Sequence, residues 1–123
     1  MEPVLTKVHE DARGAMYSLV IGDRELMLLS SKAGSLRGGP SHDCDEVVLL
    51  LTGRMRYHKI VNGAEEISIK EPGDLTPNKA GEVHMGEFLE DSWVAEWKLD
   101  ARVGESTTTD YEPFRALVRK QLA

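Results

Sequence analysis

Short apolar segments separated by strong turn signals run through most of this chain, and they limit what it can fold into. The turn signals include Gly22-Asp23, Asn62-Gly63 and Glu71-Pro72-Gly73-Asp74, all rich in residues that favour tight turns. The segments between them have the length and composition of β-strands, and helical periodicity occurs only near the end of the chain. Many short strands at regular spacing predict an all-β sandwich or barrel.

Eight segments are predicted to be strands because each is apolar or alternating and is bounded by turn residues. They are Val4 to Val8, Met16 to Ile21, Glu25 to Ser30, Val47 to Leu51, Arg54 to Val61, Glu65 to Ile69, Val83 to Leu89 and Ser92 to Leu99. The barrel is therefore expected over about 4–99.

The C-terminal segment has the periodicity of a helix. An apolar stripe at i, i+3, i+4 spacing predicts a C-terminal α-helix over about 110–122, with Asp110 as its N-cap and Gly104 to Thr109 as a polar linker before it. The stripe consists of Tyr111, Phe114, Leu117, Val118 and Leu122.

The strand Val47 to Leu51 is apolar on both faces. If Glu46 points into the barrel, Val48 and Leu50 share its face, because side chains alternate along a strand. The opposite face then needs a cover of its own. Together with the amphipathic C-terminal helix, this predicts a homodimer.

Length and charge limit the classes of protein that this chain represents. The 123 residues are expected to form one domain over 1–123. A net charge of -6 and a pI of about 5.2 give no electrostatic footprint for nucleic acid. No apolar run reaches the roughly 18 residues that span a membrane. A single cysteine, Cys44, and the lack of a signal-peptide pattern predict a cytoplasmic location.

Two glycine-bounded stretches carry residue types that bind metals. The first runs from Gly34 to Gly53 and contains His42 and Glu46, and the second begins at Gly73 and contains His84. Two neutral imidazoles and one carboxylate suit Fe(II), Mn(II), Zn(II) or Ni(II), and they leave positions open for water or substrate.

The spacing of these stretches resembles the two motifs of the cupin superfamily, G-x5-H-x-H-x3-E-x6-G and G-x5-P-x-G-x2-H-x3-N. This resemblance implies a double-stranded β-helix, or jelly-roll, barrel that holds a divalent metal. Carried over by position, the metal ligands are His42, Glu46 and His84. Pro40 stands where the first motif has its first His, while Lys79 and Phe88 replace the Pro and Asn of the second motif.

The missing ligand leaves several interpretations open. The barrel binds a metal through the three remaining residues, or His42 and His84 line a metal-free functional pocket, or the barrel is purely structural. Cys44 shares strand parity with His42 and Glu46, so it is a candidate fourth ligand, with a buried small apolar residue as the alternative. An enzyme of oxygenase, isomerase or lyase type and a non-catalytic sensor both stay open.

A second resemblance links the chain to the nucleotide-sugar epimerases and ketoisomerases of the same superfamily. It depends on Asp11-Ala12-Arg13-Gly14 and Arg37-Gly38-Gly39. It implies sugar chemistry without a metal, in which His42 or His84 is the general base. Arg13 and Arg37 would then contact an anion, since arginine presents a planar fork to phosphate or carboxylate. The alternative for both arginines is a surface ion pair.

Three further residues are candidates for substrate binding. Arg37 and Arg56 are candidates for steering a small polar or anionic molecule into the barrel. Trp93 and Trp97 share a strand face and are expected to pack in the core, and the alternative is that Trp93 is a platform for stacking on a substrate.

Overall fold

Twelve strands in three antiparallel sheets and one C-terminal helix make up the described part of the chain in a computed structural model, which describes residues 2–99 and 108–123. The strands are β1 (Val4–Asp11), β2 (Gly14–Ile21), β3 (Arg24–Ser31), β4 (Leu36–Gly38), β5 (Pro40–His42), β6 (Glu46–Thr52), β7 (Met55–Val61), β8 (Ala64–Lys70), β9 (Leu75–Asn78), β10 (Val83–Phe88), β11 (Ser92–Lys98) and β12 (Thr108–Asp110), and the helix is α1 (Glu112–Leu122).

The two larger sheets have the strand order of a jelly-roll barrel. The six-stranded sheet has the order β1-β2-β3-β11-β6-β9, and the four-stranded sheet has the order β4-β10-β7-β8. Strands distant in sequence are neighbours, since β11 lies between β3 and β6 while β10 lies between β4 and β7. The predicted all-β, double-stranded β-helix class with a C-terminal helix is confirmed.

The main core consists of inward-facing side chains of β3, β6, β7, β10 and β11. In β6 the inward alternation predicted from the sequence is confirmed, because Glu46, Val48 and Leu50 are only 3%, 4% and 1% exposed. Apolar partners from the other strands complete this core, namely Leu29, Met55, Tyr57, Phe88 and Val94. Burial of these side chains is the main contribution that stabilises the barrel.

The helix α1 packs on the outside of the barrel. Phe114 and Val118 are buried against Met85 of β10, whose neighbours in the strand face inward. Part of the apolar stripe therefore anchors the helix, whereas Leu117 and Leu122 of the same stripe are exposed.

The helix begins later than the sequence predicts. Its N-cap is Tyr111, with no side-chain cap hydrogen bond, and the prediction that Asp110 caps it is wrong. Asp110 instead ends β12, where it pairs with Pro40 of β5. The Tyr111 N–H then donates to the Gly39 carbonyl oxygen, which keeps the backbone extended at the position of the cap.

Four short strands, β4, β5, β9 and β12, are absent from the sequence prediction. The first two lie in the segment Leu36 to His42, where Gly38, Gly39 and Pro40 are turn-forming residues. β12 occupies the last residues of the predicted linker, while 104–107 lie outside the described residues. These turn-forming residues are the reason why the strands that carry Arg37 and His42 were not predicted.

The two tryptophans of β11 face outward. Trp93 is 41% exposed and stacks on Tyr17, with 6.2 Å between ring centroids, so the expectation of core packing is wrong for this residue. The pairing register of β11 with β6 shifts between Trp93 and Val94, and Val94 is the residue that enters the core.

In the described ranges, no helix is long and apolar enough to cross a membrane.

Candidate metal centre and ligand cavity

A cavity of about 220 Å³ lies between the two sheets, on the inner face of the barrel. Its walls combine apolar core residues with charged and polar side chains from many strands. The polar lining consists of Arg13, Arg37, His42, Tyr57, His84, Glu96 and Arg115. Such a mixture of apolar walls and few convergent polar groups is typical of small-molecule sites.

The three predicted metal ligands lie close together beside this cavity, which His42 and His84 line. His42 ends β5, Glu46 begins β6 and His84 lies in β10, so three separate strands bring them together. One ligand atom from each residue lies within 4.8 Å of the others. The sequence reasoning therefore identified a group of side chains that is local in space although not in sequence.

The geometry of the three residues fits a metal ion. His42 Nε2 lies 3.1 Å from Glu46 Oε2, and His84 Nε2 lies 3.2 Å from Glu46 Oε1. Both His84 Nε2 and Glu46 Oε1 are buried without a hydrogen-bond partner among the described residues. Unpaired buried polar atoms are costly, and a shared cation would satisfy both.

A stacked tyrosine fixes the imidazole of His84. The ring of Tyr57 lies 5.6 Å from that of His84, at an interplanar angle of 15°. The Tyr57 hydroxyl accepts a hydrogen bond of 2.8 Å from Asn78 Nδ2, which restrains the ring. Burial raises the pKa of Tyr57 well above its usual value, so the hydroxyl stays protonated at neutral pH.

Burial also controls the charge state of His42. Desolvation lowers the pKa of His42 below its ordinary value, and it outweighs the opposing effect of the Glu46 carboxylate. The imidazole is therefore neutral at pH 7. A neutral imidazole is the form that binds a metal or accepts a proton.

Arg37 forms a cationic part of the cavity wall. It is only 7% exposed, which excludes the surface ion pair considered from the sequence. Its Nε donates to Ser31 Oγ at 2.6 Å and its Nη2 donates to the Ser30 carbonyl oxygen at 2.8 Å. Its Nη1 is buried without a hydrogen-bond partner in the described part of the chain.

The other two arginines of the cavity have different environments. Arg13 forms an ion pair with Asp11, with 2.7 Å between Nη2 and Oδ2, and this pairing holds the pKa of Asp11 well below its usual range. Arg115 reaches the cavity from α1, and its Nη1 donates to the Gly38 carbonyl oxygen at 2.9 Å. Arg13 is thus largely neutralised by its own neighbour.

Glu96 is a site residue that the sequence reasoning missed. It lines the cavity from β11, and burial together with the Glu46 carboxylate raises its pKa to about 7. The signal was present in the sequence, because Glu96 has the same strand parity as Val94. The sequence instead predicted that the tryptophans of this strand pack in the core, and that prediction put Glu96 on the outer face. Tyr57 and Arg115 were also missed.

Several predicted site residues do not reach the cavity. Arg56 lies on the opposite face of β7 from Tyr57, and its Nη1 donates to Glu87 Oε1 at 2.9 Å. Trp93 is on the outer face of β11, as described above. Cys44 lies in the loop between β5 and β6 and is outside the metal-ligand group found among the described residues.

Sequence comparison finds no matching protein-family model and no significant match to a curated protein. Structure comparison, by contrast, finds many similar folds. The 7S globulin of Momordica charantia has a TM-score of 0.70 at 16% identity, with 86% of this chain and 35% of that chain covered.

Two bacterial proteins have the same architecture. The capsular polysaccharide assembling protein CapF of Staphylococcus aureus has a TM-score of 0.64 at 20% identity, covering 78% of this chain and 30% of that chain. KdgF from Halomonas sp. has a TM-score of 0.62 at 19% identity, covering 75% and 83%. The chain spans about a third of the 7S globulin and of CapF. All three are cupin-fold proteins, and the chain has the cupin fold.

Proposed function

We propose that this protein is a metal-binding cupin that binds and acts on a small polar or anionic molecule inside its barrel. His42, Glu46 and His84 would hold one divalent cation, namely iron, manganese, zinc or nickel. The observation that carries the proposal is the pair of buried atoms, His84 Nε2 and Glu46 Oε1, that face each other 3.2 Å apart without a hydrogen bond. Two imidazoles and one carboxylate are a common ligand set for catalytic metals.

The residues around such a metal site would have different roles. When bound, the metal would act as a Lewis acid that polarises an oxygen of the substrate or of water. Tyr57 holds His84 in place by stacking, and Glu46 orients His42. Glu96 faces the same cavity and has a pKa close to neutral, so it can give or accept a proton near pH 7.

The cavity limits the ligand to a small molecule. A volume of about 220 Å³ lies below the range of about 300–1,000 Å³ that is typical of pockets for drug-sized ligands. A second CapF structure, with a TM-score of 0.61 at 18% identity, contains the inhibitor 3-isopropenyl-tropolone, and a small organic molecule is the ligand class that we propose for this chain. The number of chains in the active protein and its cytoplasmic location stay predictions.

A metal-independent isomerase or epimerase is the second candidate. The observation that favours it is the 3.1 Å contact of His42 Nε2 with Glu46 Oε2, which orients a neutral imidazole at the cavity wall. An oriented neutral histidine is an effective general base. This reading predicts activity that persists after chelation and is lost in His42→Ala, whereas the metal reading predicts loss in both cases.

Metal content separates the two candidates. Untagged protein is loaded with Zn²⁺ or Mn²⁺, dialysed, and measured by plasma mass spectrometry. We expect about one equivalent in the wild type and less than a tenth of that in His84→Gln, because two remaining ligands bind a metal weakly. His9→Gln is the matched control, since His9 is an exposed histidine on β1 that lies outside the cavity.

Equal metal content in the wild type and His84→Gln would refute the metal proposal. So would a wild type that retains no metal after loading, and the general-base candidate would then take its place.

A further inference from the structure

Arg37 is a buried cation that has no direct ion-pair partner among the described residues, although the carboxyl groups of Asp11 and Glu96 act on it at longer range. Among the described residues no carboxylate forms an ion pair with it, and its two hydrogen bonds go to the neutral groups Ser31 Oγ and the Ser30 carbonyl oxygen. Burial lowers the pKa of its guanidinium. An uncompensated buried charge strongly destabilises a fold unless another group supplies the opposite charge. The open Nη1 at the cavity wall is where a ligand can supply it.

The charges around the cavity favour a single negative charge on the ligand. Arg13 is paired with Asp11, whereas Arg37 and Arg115 line the cavity without a direct ion-pair partner among the described residues. The carboxyl group of Glu96 offsets part of this positive charge. Glu96 lines the cavity and Glu46 lies close enough to act on it electrostatically, so both would repel a dianion such as phosphate when ionised. A carboxylate oxygen can accept from the open nitrogen of Arg37, Nη1, in a charge-assisted hydrogen bond.

The rest of the cavity offers places for a second oxygen. Glu96 is close enough to Glu46, His84 and Arg37 to interact electrostatically with all of them. It therefore lies in the same part of the cavity as both the cation and the metal ligands. A ligand that extends from Arg37 to the metal ligands therefore places an oxygen near Glu96 or near a bound metal.

We propose that the ligand is a small monocarboxylic acid with a hydroxyl or carbonyl oxygen next to the carboxylate. The carboxylate binds Arg37 Nη1, and the second oxygen faces Glu96 and the His42–Glu46–His84 group. This inference names the substrate class of the site and rests on the proposed function for the second oxygen, but the contact with Arg37 is independent of any metal.

The test is a calorimetric titration with sodium glycolate, sodium acetate and sodium phosphate at constant ionic strength. Each anion is titrated into protein freed of metal on a chelating resin and into protein loaded with Zn²⁺. We expect glycolate and acetate to bind the metal-free protein, phosphate to bind at least tenfold more weakly, and Zn²⁺ to increase the affinity for glycolate but not for acetate.

Two arginine variants locate the binding site. In Arg37→Gln the affinity for glycolate should fall at least tenfold, because the counter-charge is removed. Arg56→Gln is the matched control, since Arg56 lies on the outer face of the barrel, and it should bind like the wild type. Circular dichroism shows whether Arg37→Gln folds. If it does not, Arg37→Lys keeps the charge without the planar fork and should show weakened but measurable binding.

The outcomes separate this inference from the metal proposal. Wild-type protein that binds no carboxylate with or without Zn²⁺, an unchanged affinity in Arg37→Gln, or tighter binding of phosphate than of glycolate would each overturn the carboxylate assignment. Carboxylate binding that depends on Arg37 in a protein that retains no metal would support this inference and reject the metal centre alone.

Discussion

Glu96 is a carboxyl group on the wall of the barrel cavity, and its charge depends on that position. Burial and the nearby Glu46 carboxylate raise its pKa from 4.5 to about 7. The folded protein therefore holds a proton on Glu96 that the unfolded chain releases near pH 4.5. Between these pH values the folded state binds more protons, so the free energy of unfolding falls as the pH rises.

The first residue-scale prediction isolates this effect. In metal-free protein, the free energy of unfolding of the wild type minus that of Glu96→Gln should fall by about 2 kcal/mol between pH 5 and pH 7. The comparison is needed because His42, whose pKa is lowered from 6.5, has the opposite effect on stability over part of this range. Urea unfolding at several pH values measures the difference.

The exposed Glu2 provides the control for this experiment. Glu2→Gln also removes one carboxylate, from an exposed position outside the cavity, so it controls for the loss of a charge alone. A flat difference for Glu96→Gln would contradict the assignment of a raised pKa to this residue.

Single residues differ in how well the sequence predicts their positions. The sequence predicted that Val48 and Leu50 share the face of Glu46, and all three are buried because that strand is regular. Glu96 was missed because large aromatic residues usually dominate cores, while the register of β11 shifts between Trp93 and Val94. Arg37 was predicted to contact an anion, but its burial was not predicted. That burial depends on β4, and the glycines of this segment favour a turn rather than a strand.

At the scale of elements, the approach of β4 to β10 positions both Arg37 and His84. Gly38 has φ +117°, and a Cβ there would lie 2.8 Å from the carbonyl oxygen of His84. A side chain at this position would push β10 away from β4. Gly38 is therefore required because a larger residue would not fit next to the proposed metal ligand His84.

The element-scale prediction compares two glycines with positive φ. Gly38→Ala should lower the free energy of unfolding by about 2–4 kcal/mol, since backbone strain and a steric clash add. It should also weaken metal binding, because His84 is displaced. Gly34→Ala introduces a similar backbone strain, at φ +88°, but its Cβ would have no atom within 4 Å. We expect it to lower the free energy of unfolding by about 1–2 kcal/mol and to leave the metal content unchanged.

Denaturant unfolding and metal content measured on the same two variants check this prediction. Equal losses of stability, or equal metal content in both variants, would show that the contact between β4 and β10 does not position the site.

Element boundaries were predictable where strands are long and regular. The eight predicted strands all correspond to observed strands, and the helix is close to its predicted range. The short strands β4, β5 and β9 depend on partners distant in sequence, and each contains or adjoins glycine or proline. Local propensity favours turns at such positions, and long-range pairing overrides it.

At the scale of the whole molecule, the outer face of the six-stranded sheet is widely apolar. Leu51, Leu99 and Ile21 are 42%, 46% and 51% exposed on or beside it. The sequence predicted that the outward side of the strand Val47 to Leu51 needs a cover. Within the described residues no element of the chain lies over the groove that these side chains line.

The homodimer prediction is tested at this face. Sedimentation velocity should give a dimer for the wild type and a monomer for Leu51→Glu, because a charge in an apolar interface is costly to bury. Leu117→Glu, on the exposed side of α1, should stay dimeric. A monomeric wild type would contradict the prediction, and a dimeric Leu51→Glu would move the interface elsewhere.

The central claim is that His42, Glu46 and His84 bind one metal ion at the cavity, and X-ray absorption at the metal edge of the Zn²⁺-loaded protein tests it most directly. The account predicts two imidazole ligands at about 2.0–2.1 Å, with the remaining ligands being oxygen, and one imidazole fewer in any metal that His84→Gln retains. A spectrum without imidazole scattering, or one unchanged by His84→Gln, would contradict it.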